Sequence, residues 1–260
     1  MADTGERRGD VQSAFDNIRL APGDVHVWTS RTEPAQLGPN LPRYISVLSG
    51  SERERMQRFF FDRDRWAFAV AHGLVRFALS WCSPGVDPTD WTFRPESHGR
   101  PEIDWPMAAR AVRFNISHSD GLIGCVVTRN ADCGIDVERL NRRLNFELLA
   151  RNVLTRSERD VVESMPTGQR VEQFIRLWTL KEAYAKARGL GLSLNFNSVS
   201  FHFGRDQAIS IEVDHAGQDS PLDWMFQQWA PADTHIAALA IRCPPSVPAI
   251  VTHHRCDSIP

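Results

Sequence analysis

Two spacings of apolar residues divide this chain into predicted strands and helices. A half-buried strand alternates apolar and polar positions, because successive side chains point to opposite faces of a sheet. A fully buried strand can instead be continuously apolar. Strands are predicted at 24–30, at 91–103 around a turn at 99–101, at 112–128 around a turn at 119–121, and at 134–140, 199–203, 208–213, 223–230 and 235–241.

Apolar residues three and four positions apart predict helices in three parts of the chain. These parts are 46–82, with a break near 60–63, about 145–165, and 176–188. In the second part, Thr155 or Ser157 is a suitable N-cap before Glu158. Glycines after the third part are typical of a helix C-cap and turn rather than of a phosphate-binding loop.

The remaining segments have the composition of loops and tails. Residues 1 to about 20 predict a loose arm, and 31–43 is rich in Pro and Gly and predicts a loop. The end of the chain, from 243, is Pro-rich and is predicted to be peripheral. Strands and helices follow one another in runs, which favours an α+β fold with mainly antiparallel sheets.

The helix at 176–188 has charged residues on a face that should be apolar. Trp178 marks the centre of a stripe that also contains Phe174 and is typical of a core-facing helix. Lys181 and Glu182 lie inside that stripe, and Lys186 lies at its edge. Because charged side chains are rarely buried without partners, we expect a bound ligand to be the partner of these charges.

The segment GIDVER places two acids on one face of a strand. Asp136 and Glu138 are two residues apart and therefore point the same way. Two neighbouring carboxylates repel each other unless a cation lies between them, and Mg²⁺ commonly takes one or two carboxylates together with substrate phosphates. The alternative is a solvated strand face on which the acids pair with Arg139 or Arg142.

Glu182 completes a three-acid cluster if its helix packs on that strand. Lys186 is one helical turn further on and can reach the same site. The alternative is an ordinary exposed Glu–Lys helix pair, which contributes only a few tenths of a kcal/mol. That alternative accounts poorly for a pair beside Trp178 and Phe174.

Three further basic residues are candidates for phosphate contacts. His118 falls where the strand of FNISHS ends, and Arg100 lies in the tight turn HGRP. Arg63 lies in the segment FFFDRDRW. Each also has a structural interpretation, as a hydrogen-bonding histidine or as an exposed arginine.

The composition of the chain argues against several classes of protein. The chain has 260 residues, 42% of them hydrophobic, and a formal net charge of −2, which gives no sign of nucleic-acid binding or general disorder. Its five cysteines form no CxxC pair, so free thiols are expected. There is no apolar signal segment and no run of about 18 apolar residues, so we expect a soluble cytoplasmic protein without a membrane span.

The motifs GRP, FNISHS, GIDVER and WTLKEAYAKARGLGLSL, in this order, resemble the 4′-phosphopantetheinyl transferases of the larger, surfactin-synthetase-activating type. The resemblance extends from about residue 58 to 201. It implies two similar α+β halves related by a pseudo-twofold axis, with coenzyme A between them. It also implies transfer of phosphopantetheine from coenzyme A to a carrier-protein serine, with release of 3′,5′-ADP. The corresponding division is an arm at 1–20, halves at 21–129 and 130–243, and a tail at 244–260.

The resemblance also implies roles for individual residues. Asp136, Glu138 and Glu182 match the family's Mg²⁺ ligands, and Mn²⁺ is a possible substitute. Asp136, Glu182 and Lys186 match catalytic positions, with Glu182 as general base and Lys186 at the leaving phosphate. No role is implied for Lys181. The positions implied at coenzyme A are Arg63, at its 3′-phosphate, and Gly99, Arg100, Pro101, Ser117, His118, Asp136 and Lys186.

Two alternatives remain open beside the transferase. One is a Mg²⁺-dependent coenzyme A pyrophosphate hydrolase that uses the same acids on water, and the other is a non-catalytic module that binds carrier protein or coenzyme A. The expected partners are coenzyme A and an acyl or peptidyl carrier protein, with no nucleic acid or membrane. The resemblance implies a monomer, because both halves of the site would lie in one chain.

Overall fold

The structure is a computed structural model and describes residues 18, 20–33, 37–38, 40–95, 101–140, 146–206, 208–213 and 220–256. No helix in these ranges is long and apolar enough to cross a membrane. The helices in these ranges are α1 (Asn40–Ser46), α2 (Gly50–Gln57), α3 (Asp62–Trp81), α4 (Phe146–Val153), α5 (Arg156–Ser164) and α6 (Thr167–Ala187). The strands are β1 (Asp24–Arg31), β2 (Thr92–Pro95), β3 (Pro101–Trp105), β4 (Val112–Ser119), β5 (Leu122–Arg129), β6 (Cys133–Arg139), β7 (Val199–Phe203), β8 (Ile209–Val213), β9 (Trp224–Ala232), β10 (His235–Arg242) and β11 (Ile250–Arg255).

The strands form two main sheets, which confirms the predicted α+β class. One sheet has the order β11-β1-β5-β4, and the other has the order β6-β10-β9. Strands β2 and β3 form a separate antiparallel pair, and so do β7 and β8. All pairings are antiparallel except that of β1 with β11, which is parallel.

Each main sheet is covered by one long helix. Helix α3 packs on the four-stranded sheet through a cluster that includes Trp28, Leu74 and Ile123. Helix α6 packs on the three-stranded sheet through a cluster that includes Phe174 and Tyr184. Burying a large apolar side chain of this kind contributes about 1.5–3 kcal/mol to stability, so these two clusters anchor the long helices. A third cluster, with Val27, Val126, Ile135 and Leu239, joins the two sheets.

Gly134 lets α6 lie directly against β6. A Cβ atom at this position would come within 2.0 Å of the Ala183 carbonyl oxygen and 2.5 Å of the Ala187 nitrogen. Both contacts are with helix backbone, which cannot turn aside as a side chain can. The glycine therefore allows the last two turns of α6 to approach Asp136, two residues further along the strand.

Side chains of β4 occupy the backbone donors at the edge of β6. The Ile135 N–H donates to Asn115 Oδ1 at 3.0 Å, and the Val137 N–H donates to Ser117 Oγ at 3.3 Å. An exposed edge would otherwise leave these N–H groups unpaired. The two sheets therefore meet along β4 and β6, and the residues of FNIS and GID come together at that junction.

Most predicted elements are present close to their expected bounds. The helical stretch at 46–82 breaks between Gln57 and Asp62. Thr155 is the N-cap of α5, with its hydroxyl accepting from the Glu158 N–H and the Glu158 carboxylate accepting from the Thr155 N–H. That cap divides the stretch at 145–165 into α4 and α5.

Three segments differ from the prediction. Helix α6 begins at Thr167, directly after its N-cap Pro166, and so starts nine residues before the predicted 176. Helix α1 begins at Asn40, inside the predicted loop, and it includes Pro42 in its first turn, where the missing N–H has no helical acceptor to lose. The C-terminal segment is not peripheral, because β11 extends the four-stranded sheet and Cys256 is buried at 3% exposure. The predicted N-terminal arm lies almost wholly outside the described residues.

Candidate active site

Lys186 is the centre of a hydrogen-bonded cluster at the junction of β4, β6 and α6. Its Nζ lies 2.7 Å from Asp136 Oδ1, 2.8 Å from Ser117 Oγ and 3.1 Å from the Ile135 carbonyl oxygen. The Ser117 hydroxyl also donates to Asp136 Oδ1 at 2.9 Å. The structure therefore brings together three predicted site residues that are up to 69 positions apart in the sequence.

Asp136 keeps one carboxylate oxygen without a partner. The residue is 5% exposed, and its Oδ2 accepts no hydrogen bond from any residue that the structure describes. A buried acceptor of this kind usually costs about 1–3 kcal/mol of stability. The orphaned oxygen indicates that the site is built to receive something that binds carboxylate oxygens.

Glu138 has donors at both of its oxygens. Trp178 Nε1–H donates to Oε1 at 3.0 Å, and the Ser119 hydroxyl donates to Oε2 at 3.2 Å. Glu138 therefore points along the same face as Asp136, as the alternation of β6 predicts. The alternative of a simple solvated face does not fit, because Asp136 is buried.

The carboxyl group of Glu182 lies in the electric field of the other two acids. Its pKa is raised to about 7, first by burial and then by the negative charge of Asp136, with a further contribution from Glu138 and an opposing one from Lys186. Like charges this close favour the protonated acid unless a cation intervenes.

The carboxylates of Asp136, Glu138 and Glu182 together have the chemistry of a Mg²⁺ site, since that ion prefers carboxylate oxygens as ligands. Within the ranges that the structure describes, however, no three His, Cys, Asp or Glu side chains are gathered as a ready metal group. Lys186 already lies against Asp136 Oδ1. The orphaned Asp136 oxygen and the mutual repulsion felt at Glu182 are the two observations that fit a cation at this place.

His118 lies at the exposed end of β4, next to Ser117. Partial burial of its ring lowers its pKa, and the positive charge of Lys186 lowers it further. The electrostatic effect of Lys186 shows that the imidazole is near the cluster. A neutral ring at this position can still hydrogen-bond an incoming phosphate.

Lys181 has a structural role that its position in the sequence did not reveal. It is completely buried, its Nζ lies 2.8 Å from Glu158 Oε2, and it also donates to the carbonyl oxygens of Phe196 and Val199. The charges on the apolar face of α6 therefore have two different partners. Lys181 fixes the helix to α5 and β7, whereas Glu182 and Lys186 belong to the cluster on β6.

Not every predicted site residue is placed in this cluster. Arg63 is exposed, lies 3.6 Å from Asp64 and stacks over Phe61, and no described contact joins it to Lys186. Pro101 is an exposed residue at the start of β3. Gly99 and Arg100 lie outside the described residues.

Comparison with known proteins agrees with the resemblance. The family profile described as "4′-phosphopantetheinyl transferase superfamily" matches residues 132–240, and "4′-phosphopantetheinyl transferase, N-terminal" matches residues 37–129. The 4′-phosphopantetheinyl transferase HetI of a Nostoc species is 30% identical over 86% of this chain and 90% of its own length. Sfp of Bacillus subtilis is 30% identical over 66% of this chain and 73% of its own length.

The chain belongs to the 4′-phosphopantetheinyl transferase superfamily, and its relatives include the Sfp and HetI enzymes. Among solved structures, a holo-[acyl-carrier-protein] synthase from Thermotoga maritima superposes with a TM-score of 0.35 and 24% identity, over 44% of this chain and 63% of that one. That overlap is too small to carry an argument about the site.

Proposed function

We propose that this protein transfers the 4′-phosphopantetheine group of coenzyme A to a serine of an acyl or peptidyl carrier protein. The serine oxygen forms a bond to the β-phosphorus, which bears pantetheine, and the bond from that phosphorus to the bridging oxygen of the pyrophosphate breaks. The serine proton goes to a base, and 3′,5′-ADP leaves. Family membership and the cluster around Lys186 both support this reaction.

The single observation that carries the proposal is that one junction holds both the ammonium group of Lys186 and the carboxyl group of Glu182, whose pKa is raised. Lys186 is fixed by three oxygen acceptors, so its ammonium group is already in position for a phosphate. Glu182 lies one helical turn earlier, and its pKa is raised to about 7. Phosphoryl transfer depends mainly on positioning and charge stabilisation, which is what this arrangement offers.

Glu182 is the base in this account. A serine hydroxyl is a weak nucleophile until its proton is removed, and a base works best when its pKa lies near the working pH. Without a bound cation the pKa of Glu182 is raised to about 7, and a bound Mg²⁺ would lower it, which would leave the carboxylate ionised and able to accept the proton. It accepts the serine proton directly or through one water molecule.

Lys186 and His118 act on the other side of the reaction. Negative charge collects on the leaving phosphate of 3′,5′-ADP, and an ammonium group held nearby stabilises it. Ser117 orients Lys186 through a hydrogen bond of 2.8 Å. His118, at the exposed end of β4, supplies a second hydrogen-bonding group for the phosphates.

Asp136, Glu138 and Glu182 would hold Mg²⁺, or Mn²⁺ in its place. The unpartnered Oδ2 of Asp136 supports this assignment, because the atom is buried and accepts no hydrogen bond from the described part of the chain. Bound there, the ion would supply positive charge to the pyrophosphate oxygens.

Coenzyme A lies in a cleft between the half at 21–129 and the half at 130–243. The cluster supports this placement, since Ser117 comes from β4 in the first half, and Asp136 and Lys186 come from β6 and α6 in the second. These residues come from a single chain, which supports a monomer as the active form. Coenzyme A and carrier proteins would meet this enzyme in the cytoplasm.

Chromatographic analysis of coenzyme A and its products tests the reaction. With an apo carrier protein, we expect 3′,5′-ADP to form in step with carrier modification, and without the carrier we expect coenzyme A to remain intact. Release of 3′,5′-ADP at the same rate without a carrier would favour the pyrophosphate hydrolase. Binding of coenzyme A without any product, on several carriers, would favour the non-catalytic module.

A further inference from the structure

We propose that Trp178 is a positioning residue that fixes the orientation of Glu138 for a divalent cation. The inference rests on the proposed function, since it concerns the same acid cluster. It goes further by assigning a chemical task to the indole N–H of a residue that the sequence pattern places in an apolar stripe.

The two oxygens of Glu138 are held by donors from two different elements. The indole N–H of Trp178 comes from α6 and reaches Oε1 at 3.0 Å, and the hydroxyl of Ser119 comes from the end of β4 and reaches Oε2 at 3.2 Å. A carboxylate held at both oxygens cannot rotate freely about its last side-chain bond. The direction of Glu138 is therefore set by the packing of α6 and β4 against β6.

The indole itself has little freedom to move. Its ring centroid lies 5.8 Å from that of Phe196 and 6.3 Å from that of Phe174, and the partly buried ring packs against the core beneath α6. Trp178 also lies one turn before Glu182 on the same helix, so a single rigid helix carries both the donor to Glu138 and the neighbouring acid. The hydrogen bond consequently links the positions of Glu138 and Glu182.

The indole N–H of Trp178 and the hydroxyl of Ser119 are both neutral donors, and this matters for the chemistry. The negative charges of Asp136 and Glu138 both act on Glu182, so the three carboxylates repel one another unless each is held in place. An N–H and an O–H group can hold Glu138 in place without cancelling its charge, whereas an ion pair with a lysine would compete with a cation. Partners of this kind behind metal ligands typically change metal affinity by about 10–100-fold when removed.

Titration calorimetry of Mg²⁺ into protein with bound coenzyme A tests the inference without turnover. Trp178→Phe removes the N–H and keeps an aromatic ring, and Ser119→Ala removes the second donor. We expect Mg²⁺ affinity to fall about tenfold in Trp178→Phe and severalfold in Ser119→Ala. In transfer assays, the Mg²⁺ concentration for half-maximal rate should rise by a similar factor, and the rate at saturating Mg²⁺ should largely recover.

Trp91→Phe is the matched control. The indole of Trp91 donates to Ser80 Oγ at 2.8 Å in the core beneath α3, so the substitution removes the same kind of bond far from the acids. It should leave the Mg²⁺ titration unchanged. If Trp178→Phe does not fold, β-(3-benzothienyl)alanine at position 178 keeps the fused rings and lacks the N–H, and the same fall in affinity is expected.

Unchanged Mg²⁺ affinity in a folded variant at position 178 would overturn the inference and leave the proposed function standing. An equal fall in Trp91→Phe would also overturn it, because the effect would then reflect general loss of packing. Failure of the wild-type protein to modify any carrier, despite normal Mg²⁺ binding and a normal effect at Trp178, would instead overturn the proposed function alone. Absence of Mg²⁺ binding to the wild-type protein would overturn the metal assignment and this inference together.

Discussion

Replacing Glu182 with glutamine should stabilise the metal-free protein while abolishing transfer. The substitution removes a carboxyl group whose pKa burial and the charge of Asp136 raise from 4.5 to about 7. Because the folded state holds this proton more tightly than the unfolded state, the wild-type protein loses stability as pH rises from about 4.5 to about 7, and the penalty is complete above that range. Glutamine is neutral throughout and carries no such penalty.

The magnitude follows from the difference between the two pKa values. A difference of about 2.5, from 4.5 to about 7, corresponds to about 3 kcal/mol at most. Glu182 is partly exposed to solvent, which screens the charges, so a gain of about 1–2 kcal/mol is more realistic. For a chain of this size, that corresponds to a rise in Tm of about 2–8 °C.

Thermal unfolding in EDTA at pH 8 and pH 5 measures the effect. Glu182→Gln should melt above the wild-type protein at pH 8, and the two should nearly coincide at pH 5. Glu172→Gln is the matched control, because Glu172 is an exposed acid on the same helix, and it should change little at either pH. A variant that is less stable than wild type at pH 8, or equally displaced at both values, would refute the reasoning that burial and the neighbouring acids raise the pKa of Glu182.

The remaining predictions concern Lys181, Lys186 and Gly134. The chain contains only two lysines, so an amine-reactive reagent followed by peptide mapping should label Lys186, whose side chain is 24% exposed, and not the fully buried Lys181. Bound coenzyme A should slow the labelling of Lys186. Rapid labelling of Lys181, or no protection of Lys186 by coenzyme A, would contradict the site. Lys181→Met should lower the free energy of unfolding, measured in urea, by about 3–5 kcal/mol, because it leaves Glu158 charged and buried. Adding Glu158→Gln should recover part of that loss. Additive losses in the double variant would argue against the pair. Gly134→Ala should destabilise the protein by about 1–3 kcal/mol and reduce transfer, because the added Cβ would lie 2.0 Å from helix backbone. Gly168→Ala in α6 is the control, since its Cβ would meet open space, and this substitution should be neutral or slightly stabilising. Equal effects of the two substitutions would contradict the close packing of α6 on β6.

Local patterns in the sequence are sufficient to predict most elements and the identity of the acids. Alternation in GIDVER correctly places Asp136 and Glu138 on one face, and the unusual charges on the helix of Trp178 correctly indicate that Glu182 faces the same junction. These features depend on residues a few positions apart, where the period of a strand or helix determines direction.

Contacts between distant segments could not be predicted in the same way. Lys181 and Glu158 each have an ordinary interpretation alone, and only the packing of α6 against α5 brings them together. Asn115 looks like a polar residue of a strand, but its task is to accept the Ile135 N–H at the edge of another sheet. Strand β11 pairs with β1 across more than 200 residues, and its Pro-rich approach resembles a tail.

The hydrogen bond of the Trp178 indole could not be predicted for a different reason. Hydrophobic periodicity treats tryptophan as an apolar residue, and Trp178 does pack against Phe174 and Phe196. The same side chain has a donor that reaches Glu138, and a buried or partly buried indole usually finds such a partner. Because Glu138 lies 40 positions from Trp178 in the sequence, no local pattern around the tryptophan could have revealed this contact.

The central claim is that Lys186 and the three acids transfer phosphopantetheine to a carrier serine, and intact-protein mass spectrometry of the carrier tests it most directly. Apo carriers from fatty-acid, polyketide and peptide synthesis would be incubated with coenzyme A, Mg²⁺ and either wild-type protein or Glu182→Gln. The account predicts a gain of one phosphopantetheine on at least one carrier, abolished by EDTA, by Glu182→Gln and by alanine at the carrier serine. No gain on any carrier while coenzyme A binds, or an equal gain with Glu182→Gln, would contradict it.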